Sequence, residues 1–325
     1  MTRTARLPAY AKLNLGLRVL FRRADGYHEL RTIFQTISLA DRIDVRFTAA
    51  AQTRIQINGT PHIPDNLVER AARLVLDEMQ LHADVEFDLY KHIPAGAGLG
   101  GGSTDAAAVL LALPVLAGKT IPAPRLFELA AKLGSDVPFF LHGGTALGLG
   151  RGEELYPLPD EPPRRVLLVA PAVHSSTADA YRDLSARLNR PEQLTANVLQ
   201  NKLVTFQQQI WAGPGNWTVN DFEEVVFDRY PELRQISTRL KTAGAGPVIM
   251  TGSGSSIFGI FEDSGLLEPA RKALEPEKSF AVSFLSRARY RSAWRRALAA
   301  HIDVPAGQTG SLKGNLWPPP SRYAQ

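Results

Sequence analysis

From Leu7 to Phe21 the odd positions are Leu7, Ala9, Ala11, Leu13, Leu15, Leu17, Val19 and Phe21, while Lys12, Asn14 and Arg18 fall on even positions. A period of two is that of a half-buried strand. Lys12 and Asn14 are therefore expected to share the face opposite the core, about 7 Å apart along the strand. Two polar side chains so placed can address one ligand. Asp25-Gly26 then marks a tight turn. Alternation returns in DRIDVRF (41–47) and QTRIQIN (52–58), read as antiparallel strands, and in DVEFDLYKHI (84–93).

A helical period replaces it in NLVERAARLVLDEM (66–79), where Leu67, Ala71, Leu74 and Val75 share a face and Asp65 or Asn66 supplies the cap. Ser103-Thr104-Asp105 stands where a second helix begins, before AAAVLLAL, and PRLFELAAKLG is a third that ends at Gly134. GSDVPFFL and GGTALGLG (134–150) read as a glycine-rich connection. The later part offers the strand VLLVAP, a helix from Thr177, a helical stretch over 220–244, and the strands PVIMTG, SIFGIFE and SFAVSFL. Strands first and mixed elements later imply α+β. Prolines crowd 156–165, which divides the chain into units 1–160 and 161–302, and the composition of 303–325 predicts an irregular tail, either poorly ordered or an idiosyncratic extension, with no catalytic role.

With 325 residues, 44% of them hydrophobic, the chain can build two cores. It has no cysteine, so disulfides, thiolate metal sites and a cysteine nucleophile are excluded. Its seven histidines are scattered without metal-ligand spacing, so no metal held by protein ligands is expected. No apolar run approaches the roughly 18 residues of a membrane span, and no secretory h-region follows the basic start, so a cytoplasmic protein without membrane contact is expected. The net charge of +5 favours anionic partners but does not demand nucleic acid. In RARYRSAWRRAL (287–298), Arg287, Arg291 and Arg295 form one helical stripe and Tyr290, Ala293, Trp294 and Ala297 another. With no RNA-binding motif beside it, the first stripe reads as a solvated face.

Residues 94–107 read PAGAGLGGGSTDAA. Gly96, Gly98 and Gly101 satisfy G-x-G-x-x-G, yet the strand before them alternates instead of being apolar throughout, and Glu128 lies within a helix instead of at a strand tip. Gly118-Lys119-Thr120 could end a Walker loop, but Leu113 occupies the first glycine position. Glycine content alone fits a flexible loop or a packing site as well as a phosphate cradle. A helix N-terminus at Ser103 favours phosphate, because its free N–H groups and dipole attract an anion. The Ser103 and Thr104 hydroxyls could then help place Mg²⁺.

The same stretch resembles the Pro-x-x-x-Gly-Leu-x-Ser/Gly-Ser-x-Ala motif of the GHMP kinase superfamily. Together with AKLNLGL (11–17), RADGYHEL (23–30), GSDVPFFL (134–141) and TGSGSSIFG (251–259), the chain is similar to the 4-diphosphocytidyl-2-C-methyl-D-erythritol kinase branch, which ADGYH separates from mevalonate and homoserine kinases. The resemblance implies an α+β, two-domain GHMP fold, with an N-terminal domain like ribosomal protein S5 domain 2 and a ferredoxin-like C-terminal domain. It implies ATP as co-substrate with Mg²⁺, and transfer of phosphate to the 2-hydroxyl of the cytidine substrate in non-mevalonate isoprenoid synthesis.

Lys12 and Asp136 would be the catalytic pair. ATP would lie on Pro94, Ala95, Gly96, Ala97, Gly98, Leu99, Gly100, Gly101, Gly102, Ser103 and Thr104, with Asn66 near the adenine. Tyr27 and His28 would hold cytosine, Thr177 and Tyr181 would close the other side of that pocket, and Asn14 would align the methylerythritol. Taken singly, Asp136 is a turn or capping residue, Lys12 a solvated strand lysine, Asn66 and Thr177 helix caps, and Tyr181 a core aromatic. The partners implied are small molecules, with a monomer or weak homodimer. Competing readings are a homoserine- or mevalonate-type GHMP kinase, a catalytically silent nucleotide-binding homologue, and an RNA binder using Arg287–Arg296.

Overall fold

The N-terminal alternation forms β1 (Thr2–Arg22), which turns at Asp25-Gly26 and pairs antiparallel along its length with β2 (His28–Ala49). The computed structural model describes residues 1–59, 65–188, 195–211, 219–302 and 317–323. After the hairpin come β3 (Arg54–Asn58), α1 (Leu67–Glu78), β4 (Ala83–Tyr90), α2 (Gly101–Ala117), α3 (Ala123–Leu133), α4 (Val137–His142), β5 (Thr145–Leu149) and β6 (Glu154–Pro157). Their strands make one sheet in the order β3-β4-β2-β5-β6, with β1 also on β2.

The chain then changes sheet. β7 (Arg165–Val169) is followed by α5 (Thr177–Leu188), α6 (Ala196–Trp211), α7 (Phe222–Arg229), α8 (Pro231–Thr242), β8 (Val248–Met250), β9 (Ile257–Phe261), α9 (Leu267–Ala273), β10 (Ser279–Ser283) and α10 (Arg287–Ala297). The four strands form an antiparallel sheet ordered β10-β7-β9-β8, so the fourth strand lies beside the first and the third beside the second.

The long hairpin ties the two sheets together. Leu7 and Ala9 of β1 pack with α1 and α2, Ala11, Leu13 and Leu15 pack with Leu99 and Phe258, and Leu17 and Val19 pack with Leu167 and Phe222. One alternating strand thus supplies three successive cores. Its register against β2 shifts between Tyr10 and Lys12, Asn14 and Gly16, and Val19 and Phe21. Such bulges bend a strand and re-aim its side chains. Phe21, beyond the last of them, is exposed.

α2 is buried almost throughout, as a run of Ala, Val and Leu without a charged residue after Asp105 requires. It begins at Gly101, two residues before the expected start at Ser103. β3 runs parallel to β4 and does not pair with residues 41–47, because alternation marks a strand without naming its partner. The buried face of α1 is Val68, Ala71, Ala72, Val75 and Leu76, with Leu67 and Leu74 at its edge. Residues 134–150, read as a connection, contain α4 and β5. The helical stretch 220–244 is broken by Pro231, and Tyr230 before it leaves the helical region with φ −128°.

The basic helix α10 is not merely solvated. Arg287 donates to the carbonyls of Gly143 (3.2 Å) and Thr145 (2.5 Å), and Tyr290 and Trp294 are buried. Within the expected tail, 303–316 and 324–325 lie outside the described residues, but 317–323 folds back onto the first sheet's helices. Trp317 Nε1 donates to Leu141 O (2.6 Å), Ser321 Oγ donates to Val115 O (2.7 Å), and the Arg3 guanidinium lies 3.8 Å from the Tyr323 ring centroid. The Trp317 contact satisfies a carbonyl at the C-terminal end of α4, where a helix leaves carbonyls without partners, and the Ser321 contact adds a second donor to Val115 O, which already accepts from Gly118 N.

A chain ended at residue 302 loses both hydrogen bonds and the Trp317 ring contacts. About 2 kcal/mol of stability should go with them, seen as a Tm lower by roughly 4 °C. Thermal melting of the two chains checks this, and equal midpoints would show that the segment contributes nothing.

Candidate active site

Lys12 and Asn14 lie on the face of β1 opposite Leu13, as the alternation requires, but that face is not open to solvent. Lys12 is 3% and Asn14 2% exposed, at the floor of a cleft between the two sheets. A buried ammonium is costly unless partnered. Lys12 Nζ donates to Asn14 Oδ1 at 2.6 Å and lies 3.4 Å from Asp136 Oδ2. The relay continues from Asn14 Nδ2 to Thr32 Oγ1 (2.7 Å) and from that hydroxyl to Gly16 O (2.8 Å), so the amide orientation is fixed. Asn14 N donates to Thr251 Oγ1 (3.0 Å), which brings the loop after β8 onto the same strand.

Asp136 occupies the cap position of α4 but makes no capping hydrogen bond, and its carboxylate turns to Lys12 instead. It is the partly exposed member of the pair, with 33% of its side chain accessible against 4% for Lys12. An accessible carboxylate beside a buried cation is suited to receive a proton from a ligand in the cleft.

The glycine stretch passes above this pair. Lys12 N donates to Leu99 O (3.1 Å), which anchors the loop to β1. Gly98 has φ +76°, and a Cβ there would lie 2.3 Å from Thr251 O, so this glycine is demanded by packing against the 251–254 loop. Gly102 differs: it is helical and exposed, and a Cβ would meet only Leu67 Cδ1 at 3.5 Å. Packing does not require its bareness. Gly100 caps α2 in a left-handed conformation without a side-chain bond, and the first helical bond is Thr104 N to Gly100 O (2.9 Å). The N–H groups of residues 101–103 are therefore left for an anion. Ser103 is partly exposed, whereas Thr104 is buried.

Beneath the cradle, Lys91 Nζ bonds both Asp41 and Asp105, and Asp41 also accepts the backbone N–H groups of His92 and Ile93. Burial pushes the Asp105 carboxyl up to about 7 despite Lys91. This cluster fixes the chain where β4 enters the loop.

At the other end of the cleft, His28 stacks on Tyr181 with ring centroids 4.8 Å apart, and Tyr181 meets the edge of Phe222 at 4.8 Å. His28 Nε2 is 2.7 Å from Ser185 Oγ. Burial, with Arg22 nearby, holds its pKa below the usual imidazole range, so the ring is neutral near pH 7. Burial and then Asp136 raise the Tyr181 phenol, which stays protonated. Tyr27 is 54% exposed at the rim, with the Arg151 guanidinium 4.6 Å from its ring centroid. The cleft has a volume of about 750 Å³.

The chain matches the model of the GHMP kinases N terminal domain over residues 66–144 and that of the GHMP kinases C terminal over 198–278. A 4-diphosphocytidyl-2-C-methyl-D-erythritol kinase of Solibacter usitatus is 51% identical over 99% of this chain and 98% of that relative. The chain belongs to the 4-diphosphocytidyl-2-C-methyl-D-erythritol kinase family. A solved 4-(cytidine 5'-diphospho)-2C-methyl-D-erythritol kinase is similar with a TM-score of 0.71 at 38% identity, covering 87% of this chain and 99% of that one. Homoserine kinase from Cytophaga hutchinsonii shares the fold, with a TM-score of 0.68 at 19% identity over 87% of this chain and 95% of that one. The strand order of the second sheet is the ferredoxin-like one expected of GHMP kinases.

Of the residues that the family resemblance singles out, Lys12, Asn14, Tyr27, His28, Asp136, Thr177 and Tyr181 line this one cleft, with Gly98 and Gly100 at its edge. Thr177 is not a helix cap: it is the first residue of α5, its hydroxyl lies 2.8 Å from Ser253 Oγ, and Ser176 Oγ accepts from Asp179 N instead. Asn66 caps α1 by accepting from Val68 N at 2.9 Å, and its neighbour Leu67 faces Gly102.

Sequence reasoning missed Thr32, which completes the Asn14 relay, and Asn220, whose Nδ2 donates to Met250 O (2.6 Å) and Gly252 O (2.8 Å) to hold the loop after β8. It also missed Phe222, Lys91 and Arg151. Only Asn220 left a signal, as an Asn two residues before a helix.

The two classes of glycine predict different outcomes. Gly102→Ala should leave stability equal or raise it by up to about 0.5 kcal/mol through helix propensity, so the melting temperature should not fall, while KM for ATP rises about tenfold. Paired melting and steady-state kinetics check this; an unchanged KM would mean that no ligand approaches Gly102.

Proposed function

We propose that the chain is an ATP-dependent kinase transferring the γ-phosphoryl group to the 2-hydroxyl of 4-diphosphocytidyl-2-C-methyl-D-erythritol, in non-mevalonate isoprenoid precursor synthesis. The observation that carries this is the Lys12 ammonium, 3.4 Å from Asp136 and 2.6 Å from Asn14, at the floor of a cleft between the glycine cradle and an aromatic group. Phosphoryl transfer requires positioning, neutralisation of charge on the moving group, and an acceptor for the hydroxyl proton. The cradle and the α2 N-terminus hold the triphosphate, and Mg²⁺ enters with the nucleotide. Asn14 orients the acceptor alcohol. Its oxygen forms the new bond to phosphorus as the bond to the ADP oxygen breaks, and the proton passes to the Asp136 carboxylate. Lys12, 3.4 Å from that carboxylate, offsets negative charge on the transferred group.

Tyr27, His28, Thr177 and Tyr181 form the cytidine end. A neutral His28 can donate or accept with the base edge, and Tyr27 presents a ring for stacking. We take 1–160 and 161–302 as the two domains. Substrate and nucleotide are soluble anions, and among the described residues no helix is long and apolar enough to cross a membrane, so we place the enzyme in the cytoplasm. Arg287 is committed to carbonyls of the first sheet's loops and the Arg291 guanidinium lies 5.2 Å from the Trp317 centroid, which favours a structural role for α10 over an RNA contact.

A coupled ADP-release assay tests the reading. Asp136→Asn should lower kcat about 10³-fold while ATP affinity stays within threefold. Equal loss of nucleotide affinity would remove Asp136 from the proton-accepting role, and absence of turnover in the folded native chain would reject the activity.

A further inference from the structure

Arg151 sits between Gly150 and Gly152 at the tip joining β5 to β6, and it lines the cleft. The tip is held in place: Leu30 N donates to Gly150 O (2.6 Å), beside Tyr27 and His28, and Glu153 Oε2 accepts Arg151 N (2.7 Å). Glu153 Oε1 accepts from the guanidinium Nε (3.1 Å), while the two terminal nitrogens make no hydrogen bond among the described residues. The guanidinium lies over the Tyr27 ring, and 29% of the side chain is accessible. Three things are thus fixed: the backbone, one edge of the fork and its place beside Tyr27. The donor edge opposite Glu153 is unused.

The charge balance of the cleft says what that edge can take. Its charged lining side chains are Lys12, Asp136 and Arg151, and the first two form an ion pair. His28 is neutral near pH 7. Arg151 is itself paired at Nε with Glu153, which does not line the cleft, so it is the cation whose free donor edge the cleft presents to a ligand at its cytidine end. A nucleoside diphosphate ester carries one negative charge on each phosphate, and that diphosphate is joined directly to the nucleoside. A cation beside the base-stacking ring is in reach of it, whereas Lys12 is occupied at the reacting end.

We propose that Arg151 binds the diphosphate of the cytidine substrate, with its terminal N–H groups donating to phosphate oxygens while Nε remains on Glu153. This rests on the substrate reading above. Planar, charge-assisted pairing with phosphate is what the guanidinium does best. It makes Arg151 a specificity residue that separates a nucleoside diphosphate ester from a bare nucleoside, independently of base recognition by Tyr27 and His28.

Calorimetric titration of cytidine and of CDP into the native chain, Arg151→Gln and Arg151→Lys tests it. In Arg151→Gln, CDP should bind about tenfold more weakly or worse and cytidine within twofold of native, so the preference for CDP collapses. Arg151→Lys should restore part of it through charge without the fork. KM for the cytidine substrate should rise in parallel while KM for ATP holds. Equal weakening of CDP and cytidine would place the guanidinium on the base, and an unchanged CDP preference in both variants would remove it from the ligand; either overturns the assignment. A native chain that binds neither compound overturns the substrate reading itself, and the Arg151 assignment with it.

Discussion

Everything in the cleft is organised by one buried ammonium. Lys12 sits on a strand with 4% of its side chain accessible, and a cation so placed costs several kcal/mol unless its surroundings satisfy it. Asp136 satisfies it from the start of α4, and Asn14 from the same strand. Thr32 and Gly16 then hold Asn14. Because the ammonium must be paired, the start of α4, the β1–β2 hairpin and the loop after β8 are drawn to one point. The same pairing turns the partly exposed Asp136 carboxylate toward the cleft.

Delivering that point falls to the long hairpin. Its apolar face feeds three cores in succession, so both sheets are built on it. The bulges on either side of Lys12 and Asn14 allow the polar face to bend into the cleft while the apolar face stays buried. Gly98 permits the 251–254 loop to touch the glycine loop through backbone alone, and the Asn220 amide holds the 251–254 loop from behind. The site is thus assembled from stretches distant in the chain, held by contacts that do not involve a ligand.

What could be read beforehand was what is local. A period of two put Lys12 and Asn14 on one face, and glycine density before an apolar helix marked the cradle. The pairing of Lys12 with Asp136 is not local: it joins residues more than a hundred positions apart, and only the family resemblance brought them together. Thr32 and Phe222 carry no pattern of their own and acquire a role only when strands and helices meet. β3 was assigned the wrong partner for the same reason, since alternation is blind to which strand lies alongside. Composition left open whether the tail is poorly ordered or an extension, and it does not reveal the carbonyls that Trp317 and Ser321 meet near the ends of α4 and α2. Arg151 sat in a glycine-rich stretch read as a connection, and only folding brings it beside Tyr27.

In the proposed reaction the arrangement around Lys12 directs the transferred group to its destination, and phosphorus NMR reads both. With the native chain, ATP, Mg²⁺ and 4-diphosphocytidyl-2-C-methyl-D-erythritol, a new phosphomonoester resonance should grow in step with ADP while the substrate diphosphate signals persist, shifted but not lost. Growth of inorganic phosphate alone, or a spectrum that does not change, would contradict the assignment of this cleft to phosphoryl transfer onto the cytidine substrate.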